Sequence, residues 1–516
     1  MATASLVNDR REIAGWAMYD WANSAFSTTV GTVFLGPYLA GLVEEAAKAY
    51  PDGLARFFGV PVAPDSFLPF AISFSVVFQA GFLPILGAIA DYSHQRKQLM
   101  RLFATIGAAA TTALFFVQGE LWWLGGVLFV IANLSFGAAI VFYNAYLPDI
   151  ASPDQRDRVS SFGWAMGYLG GGLLLVVNLV IFLMRERIGL STGLAVRINL
   201  ASAGLWWLGW SFWTWRTLRS RHAARALPPG ENLLSVAFRQ LSETMEFPSA
   251  LIAGLLLLPL GVFVTIPLMP ALGLPSEWAF FVLFGPILML GLFLWRKART
   301  LPETVKYLAA YLIYNDGIQT VIGVAATFAA APVARGGIAM PTERLTILIL
   351  VIQFTAFAGA MFFGWFAGRI GTKRALVVSL VIWAGTVIYA YAGMRNPAVV
   401  AALGIPMQEL EFWILGLFIA VVLGGSQALS RSLFAQMVPA EKEAEFFSIY
   451  EISERGTSWL GPFIFGAVNQ QLGNLRPAIL SVVIFFVAGL AILFFVNVAQ
   501  AMRESGRPAL AAGAAD

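Results

Sequence analysis

The chain has no cysteine. That removes disulfides, thiolate metal sites and cysteine nucleophiles together. Histidine is almost missing too: the two present, His94 and His222, fall in polar loops, which excludes a histidine proton relay inside a membrane. Charged residues make up only 12% of the 516 positions, about half the share found in soluble domains. No G-x-x-x-x-G-K-[ST] phosphate loop occurs, so an internal ATP motor is not expected, and no cofactor or metal site is read from the sequence. The net charge of +4 is small, and its basic residues sit in short clusters between apolar runs. Such clusters signal membrane topology and give no support to a nucleic-acid partner. The opening stretch MATASLVNDRREIA lacks the charged-then-apolar layout of a signal peptide, so the first span is expected to direct insertion.

What is abundant is apolar surface. Hydrophobic residues make up 59% of the chain, and the mean hydropathy is +0.75. Apolar runs long enough to cross a bilayer, roughly 17–25 residues, fall near 15–43, 67–90, 102–118, 121–147, 160–184 and 198–215. They resume near 250–273, 278–295, 305–331, 344–368, 375–393, 411–430, 446–470 and 477–499. The expected architecture is an all-α polytopic membrane protein with about 14 spans. Placing the N-terminus in the cytoplasm puts the dense Arg and Lys clusters inside, among them Arg10, Arg11, Arg96, Lys97, Arg216, Lys373, Arg374 and Arg431. The weakest point of that asymmetry is the outer loop carrying Arg185, Arg187 and Arg197. Pro259, Pro267 and Pro270 interrupt the run at 250–273. By parity both it and 278–295 cross or neither does, and an extra hairpin over 250–298 is expected. The expected domains are a cytoplasmic tail 1–14, a six-helix bundle 15–215, a cytoplasmic linker 216–249, the hairpin 250–298, a second bundle 299–500 and a cytoplasmic tail 501–516.

The two halves repeat. GAIADYSHQRK (87–97) overlays GWFAGRIGTKR (364–374) without a gap, placing Gly87 on Gly364 and Arg96–Lys97 on Lys373–Arg374. NAYLPDIASPDQRDR (144–158) overlays SRSLFAQMVPAEKEA (430–444), Pro153 on Pro439. Repeated halves are a mark of transporters, with the binding site between them. The loop pattern G-x-x-x-[D/G]-x-x-x-x-[RK]-[KR] resembles the signature loop of the major facilitator superfamily. Three further stretches, GWAMYDWANSAF (15–26), YNDGIQT (314–320) and SRSLFAQMVPAEKEAEFFSIYEISERGTSWLGP (430–462), make the chain similar to the vacuole-effluxer-like branch, whose fungal members export amino acids. The resemblance covers nearly everything except the hairpin. It implies a major facilitator fold of two pseudo-symmetric six-helix bundles working by alternating access.

Within the apolar runs stand a few carboxylates. Asp316 should lie roughly 15 Å into its helix, near the centre of a core about 30 Å thick. Gln319, Thr320 and Gly323 share its face; Asp20 is followed at the same offsets by Asn23, Ser24 and Ser27. A single acid at such a depth could tie two helices together. A matched pair in the two halves points to a substrate pathway between bundles. Asp20, Asn23, Asp316 and Gln319 are therefore read as contacts for an ammonium group or the coupled proton, with Tyr19, Trp21 and Tyr314 as cavity walls. Glu451 and Arg455 are i,i+4 partners, either a fastening ion pair or a coupling site, and Glu454 beside them is a protonation candidate. Gly87, Asp91, Arg96, Lys97, Gly364, Arg369, Lys373, Arg374, Arg431 and Arg455 are read as gating or signature-loop residues. Asp91 can cap a helix or pair with a base, but its counterpart is Gly368, so Arg431 lacks an evident partner.

The reading is thus a membrane transporter and not an enzyme. It exports or exchanges a small zwitterionic or cationic solute such as an amino acid, with H+ as candidate coupling ion. It acts as a monomer in a bacterial inner membrane, with both termini cytoplasmic. The alternatives are a sugar–cation symporter of the same superfamily and a non-transporting membrane enzyme or scaffold.

Overall fold

The computed structural model describes residues 7–220 and 299–506, apart from 58, 63, 65–66, 92–94, 401, 403, 440–441 and 457–459, plus isolated positions between 230 and 239. The expected hairpin at 250–298, most of the linker and the last residues of the C-terminal tail lie outside the described residues.

Helices dominate. The first half contains α1 (Arg10–Ala25), α2 (Leu35–Ala47), α3 (Phe67–Asp91), α4 (Arg96–Ala113), α5 (Trp122–Asn144), α6 (Leu147–Ile150), α7 (Arg156–Met184) and α8 (Thr192–Thr217). A nine-residue π-helical stretch, Phe26–Phe34, joins α1 to α2 in one continuous rod. The second half contains α9 (Pro302–Ala330), α10 (Thr342–Ile370), α11 (Thr372–Ala392), α12 (Met407–Met437), α13 (Glu443–Gly456) and α14 (Leu460–Leu472). After these come α15 (Leu475–Ser481), α16 (Val483–Phe494) and α17 (Val498–Glu504). Among the described residues there are also two short antiparallel hairpins, β1 (Ala55–Phe57) with β2 (Val60–Val62) and β3 (Val399–Val400) with β4 (Ile405–Pro406), and three 3-10 turns at Leu114–Phe116, Gly119–Leu121 and Val333–Arg335.

Local chemistry fixes the ends. The Asp9 carboxylate accepts from the Arg11 N–H at 2.9 Å and starts α1. Ser191 does the same for α8 through Leu194 N–H, each satisfying a donor the helix cannot pair internally. Pro302 opens α9, where its missing N–H costs nothing. Gly371, at φ 92°, makes the abrupt turn from α10 into α11 that a side chain would resist.

Among the described residues, eight helical stretches are long and apolar enough to cross a membrane. They are Arg10–Ala47, Arg96–Phe116, Gly119–Ile150, Arg156–Met184, Ile347–Ile370, Thr372–Ala392, Met407–Met437 and Leu475–Phe494. α3, α8 and α9 have 25, 26 and 29 residues. Length alone lets each traverse about 30 Å of hydrocarbon at about 1.5 Å per residue.

The chain divides into two compact units, and the division departs from chain order twice. Unit one falls within Met1–Ile150, Gly170–Arg296 and Glu441–Ile452; unit two within Ala151–Leu169, Lys297–Ala440 and Ser453–Asp516. The first half of α7 thus belongs to unit two, and most of α13 to unit one.

In unit one, Trp16 stacks on Tyr143 with ring centroids 4.4 Å apart, and its indole N–H donates to the Tyr143 carbonyl at 3.0 Å. Trp207 fits because position 107 is glycine: a Cβ there would come within 2.8 Å of the indole. In unit two, Trp383 stacks on Phe486 at 5.8 Å. α10 and α12 approach closely there, since a Cβ on Gly424 would stand 2.8 Å from Ala360 N. Small residues at such crossings replace the hydrophobic drive that lipid removes, and Ala356 and Ala360 of α10 take part in this packing within one unit.

Candidate functional site

Asp316 is the central residue of the 29-residue α9. It is 1% exposed. One carboxylate oxygen, Oδ2, accepts from the Gly461 N–H at 2.9 Å; the other, Oδ1, is buried without a hydrogen-bond partner among the described residues. Gly461 opens α14 next to Leu460, where helix N–H groups lack acceptors and carry partial positive charge. The approach requires glycine, because a Cβ would be 3.2 Å from the Asp316 carbonyl oxygen and would overlap the Thr320 hydroxyl. Thr320 donates back to that carbonyl at 2.6 Å. Gln319 is half-buried and Gly323 exposed. One step along the helix, Tyr314 meets the Ser430 hydroxyl at 2.7 Å, and the Gln427 amide donates to Asn315 Oδ1 at 3.2 Å.

The matching acid in unit one is held differently. Asp20 is buried, and its Oδ2 accepts from the Tyr143 hydroxyl at 2.6 Å. Asn23 is buried one turn on. Trp21 stacks on Trp206 at 5.6 Å and meets the edge of Trp210. Tyr19 and Tyr314 are both wholly buried. Asp20 also stands six residues before the π-helical stretch, a geometry found mostly where function demands it.

The third cluster is described only in part. Glu451 accepts from the Asn144 amide at 2.8 Å, within unit one. The side chains of Glu454 and Arg455 lie outside the described residues, as does that of Asp91.

The signature loops show how each unit takes in a segment of the opposite half. Position 87 must be glycine: a Cβ would lie 2.6 Å from the Ala444 carbonyl oxygen. Gly364 occupies the same role against Ser161. Arg96 pairs with Asp149 at 3.1 Å and donates to the Ala145 carbonyl. Lys97 donates to the Leu218 carbonyl at 2.5 Å. In the second copy, Lys373 donates to the carbonyls of Phe494 and Val496. Arg369 lies over Trp365, 4.0 Å from its ring centre, and Arg374 is exposed. Arg431 finds partners in Ser160, its Nε donating to the hydroxyl at 2.9 Å and its Nη2 to the carbonyl at 2.7 Å. Asp157, from the segment of the first half that belongs to unit two, accepts from Thr372 at 2.6 Å and from Ser432 at 2.5 Å.

Tyr143, Asn144, Asp149, Asp157 and Gly461 were not singled out by sequence. For Asn144 a signal existed, since the repeat lays it on Ser430 and both hold a buried side-chain hydrogen bond. Nothing in the sequence pointed to the Gly461 N–H.

Comparison with known proteins gives this architecture its relatives. The family model described as "Vacuole effluxer Atg22 like" matches residues 8–259 and 250–506. The chain is 26% identical to the uncharacterized MFS-type transporter YxiO of Bacillus subtilis, over 93% of this chain and 94% of that one. It is 24% identical to autophagy-related protein 22-1 of Penicillium rubens, over 96% and 91%. Among solved structures it resembles the human organic anion transporter MFSD10, with a TM-score of 0.56 and 15% identity over 94% of this chain and 99% of that one. It also resembles the major facilitator superfamily proton:xylose symporter XylE, with a TM-score of 0.59 and 12% identity over 94% of both chains. The fold is therefore that of the major facilitator superfamily, in an integral, multi-pass, all-α membrane protein. The family match spans almost the whole length, and the chain belongs to the vacuole effluxer Atg22-like family of membrane transporters for small-molecule substrates.

Proposed function

We propose that the chain is a secondary active transporter working by alternating access, which exports or exchanges a small zwitterionic or cationic solute such as an amino acid and couples this to protons. The observation that supports this most is the state of Asp316: a buried carboxylate at the middle of a helix of bilayer-crossing length, with one oxygen open. Among the described residues no cation bridges it. An acid left this way at the centre of a membrane helix costs about 2.5–3.5 kcal/mol on insertion scales, a penalty that a bound proton or ammonium group relieves. Asp20 supplies the equivalent acid in unit one, with Tyr143 steadying it. Asn23 and Gln319 add neutral hydrogen bonds. Tyr19, Trp21 and Tyr314 act as walls, the two tyrosines only in a conformation that uncovers them. Glu451, released from Asn144, and Glu454 are the further protonation candidates.

In this proposal Gly87, Asp91, Arg96, Lys97 and Arg455, with Gly364, Arg369, Lys373, Arg374 and Arg431, hold the inner ends of the helices in one conformation. The domains run as two six-helix bundles, 15–215 and 299–500, with the 216–249 linker and the 250–298 hairpin between them. The protein sits in a bacterial inner membrane as a monomer with both termini inside. Export is favoured over import by the family's description as effluxers.

Counterflow into proteoliposomes tests the substrate class. Preloaded amino acids should accelerate uptake of labelled amino acid, and disaccharides should not. Acceleration by disaccharides alone would replace this reading with a sugar–cation symporter, and no counterflow with either would favour a non-transporting protein.

A further inference from the structure

A cavity in unit one takes no part in the site above. It lies where α2 ends, beside the β1–β2 hairpin and the turn Gly119–Leu121 that precedes α5. Its volume is ≈ 380 Å³, within the range of about 300–1,000 Å³ typical of small-molecule pockets. Glu45, Tyr50, Arg56, Glu120, Trp122 and Trp123 line it.

The charges there do not cancel. Glu45 pairs with Lys48 at 2.5 Å, and Asp52 pairs with Arg56 at 2.5 Å. The first contact raises the Lys48 ammonium above its ordinary pKa; the second holds the Asp52 carboxyl below its usual range. Both cations are therefore committed. Glu120 has no ion-pair or hydrogen-bond partner among the described residues. The aromatic walls suit the missing cation. Arg56 already lies over the Tyr50 ring, 4.8 Å from its centre, so one aromatic wall of the cavity already holds a positive charge. Trp122 is 5% exposed and held edge-on by Phe67 at 4.9 Å, which makes that wall rigid.

We propose that this cavity binds a small organic ammonium ion, its charge against Glu120 and its carbon groups against Trp122 and Trp123. An aromatic face with a carboxylate is the chemistry that recognises alkylammonium groups. A metal ion would leave the rings unused, and an anion would meet Glu120. The site stands apart from the membrane-embedded acids and does not depend on the transport reading. In the proposed orientation it faces the outer side.

Isothermal titration of the purified full chain with tetramethylammonium chloride tests it, with sodium chloride at matched ionic strength as control. Saturable binding is expected, weakened about tenfold by Glu120→Gln and similarly by Trp123→Ala. Glu120 is exposed, so its variant reports on the site without disturbing folding. Absence of binding, equal heat from sodium, or binding that survives both pocket variants would each overturn the assignment.

Discussion

Adding one methyl group at Gly87 should loosen α13 from unit one. A Cβ at that position would sit 2.6 Å from the Ala444 carbonyl oxygen and 3.0 Å from Glu445 Cα. Comfortable carbon contacts begin near 3.5 Å, so one backbone must withdraw by roughly 0.5–1 Å, and neither obstacle is the free end of a side chain. Overpacking of this kind costs about 1–3 kcal/mol, or about 5- to 150-fold in the balance between packed and released α13. The absence of native cysteine makes the assay clean. Ser448, wholly buried on α13 and bonded to its own helix at the Glu445 carbonyl, is replaced by cysteine. Its alkylation rate by a permeant maleimide is then measured with and without Gly87→Ala. The rate should rise by about 5- to 150-fold. Gly368→Ala is the control, because no atom lies within 4 Å of the Cβ it would add. An unchanged rate in Gly87→Ala, or an equal rise in Gly368→Ala, would refute the reasoning.

Asp157→Ala should lower the thermal midpoint followed by tryptophan fluorescence more than Asp157→Asn, since each hydroxyl bond to the carboxylate is worth about 1.5–3 kcal/mol and an amide keeps part of the pattern with Thr372 and Ser432. Tyr143→Phe keeps the stack on Trp16 but strips Asp20 of its hydroxyl donor; a stability loss of about 1–3 kcal/mol is expected, and no loss would mean the contact is idle. Arg476→Lys should also lower the midpoint, because the guanidinium donates to the carbonyls of Ala390, Tyr391, Gly393 and Met394 at the end of α11, a fork that an ammonium cannot reproduce. An unchanged midpoint would show that water replaces those bonds.

The helices were legible because a bilayer dictates length and apolarity. The apolar run near 160–184 lies within Arg156–Met184 and the one near 411–430 within Met407–Met437, both extended by polar turns that hydropathy alone truncates. The placement of acids in apolar helices was legible for the same reason. Partnerships were not. Arg431 meets Ser160, which lies 271 residues earlier, and Asp316 meets a backbone N–H that no side-chain pattern encodes. The exchange of 151–169 and 441–452 between compact units leaves no periodic trace either, because both segments keep ordinary helical patterning. The π-helical stretch Phe26–Phe34 contains no proline and is invisible to residue type.

In the proposed function the carboxylate at the middle of α9 carries the coupled proton or holds the ammonium group. The most direct measurement of that role is proton flux into proteoliposomes carrying a pH-sensitive dye, started by adding amino acids to the wild-type chain and to Asp316→Asn. Amino-acid-dependent flux is expected in the wild type and none in the variant, with both proteins inserted and monodisperse. Wild-type flux from Asp316→Asn would contradict that role.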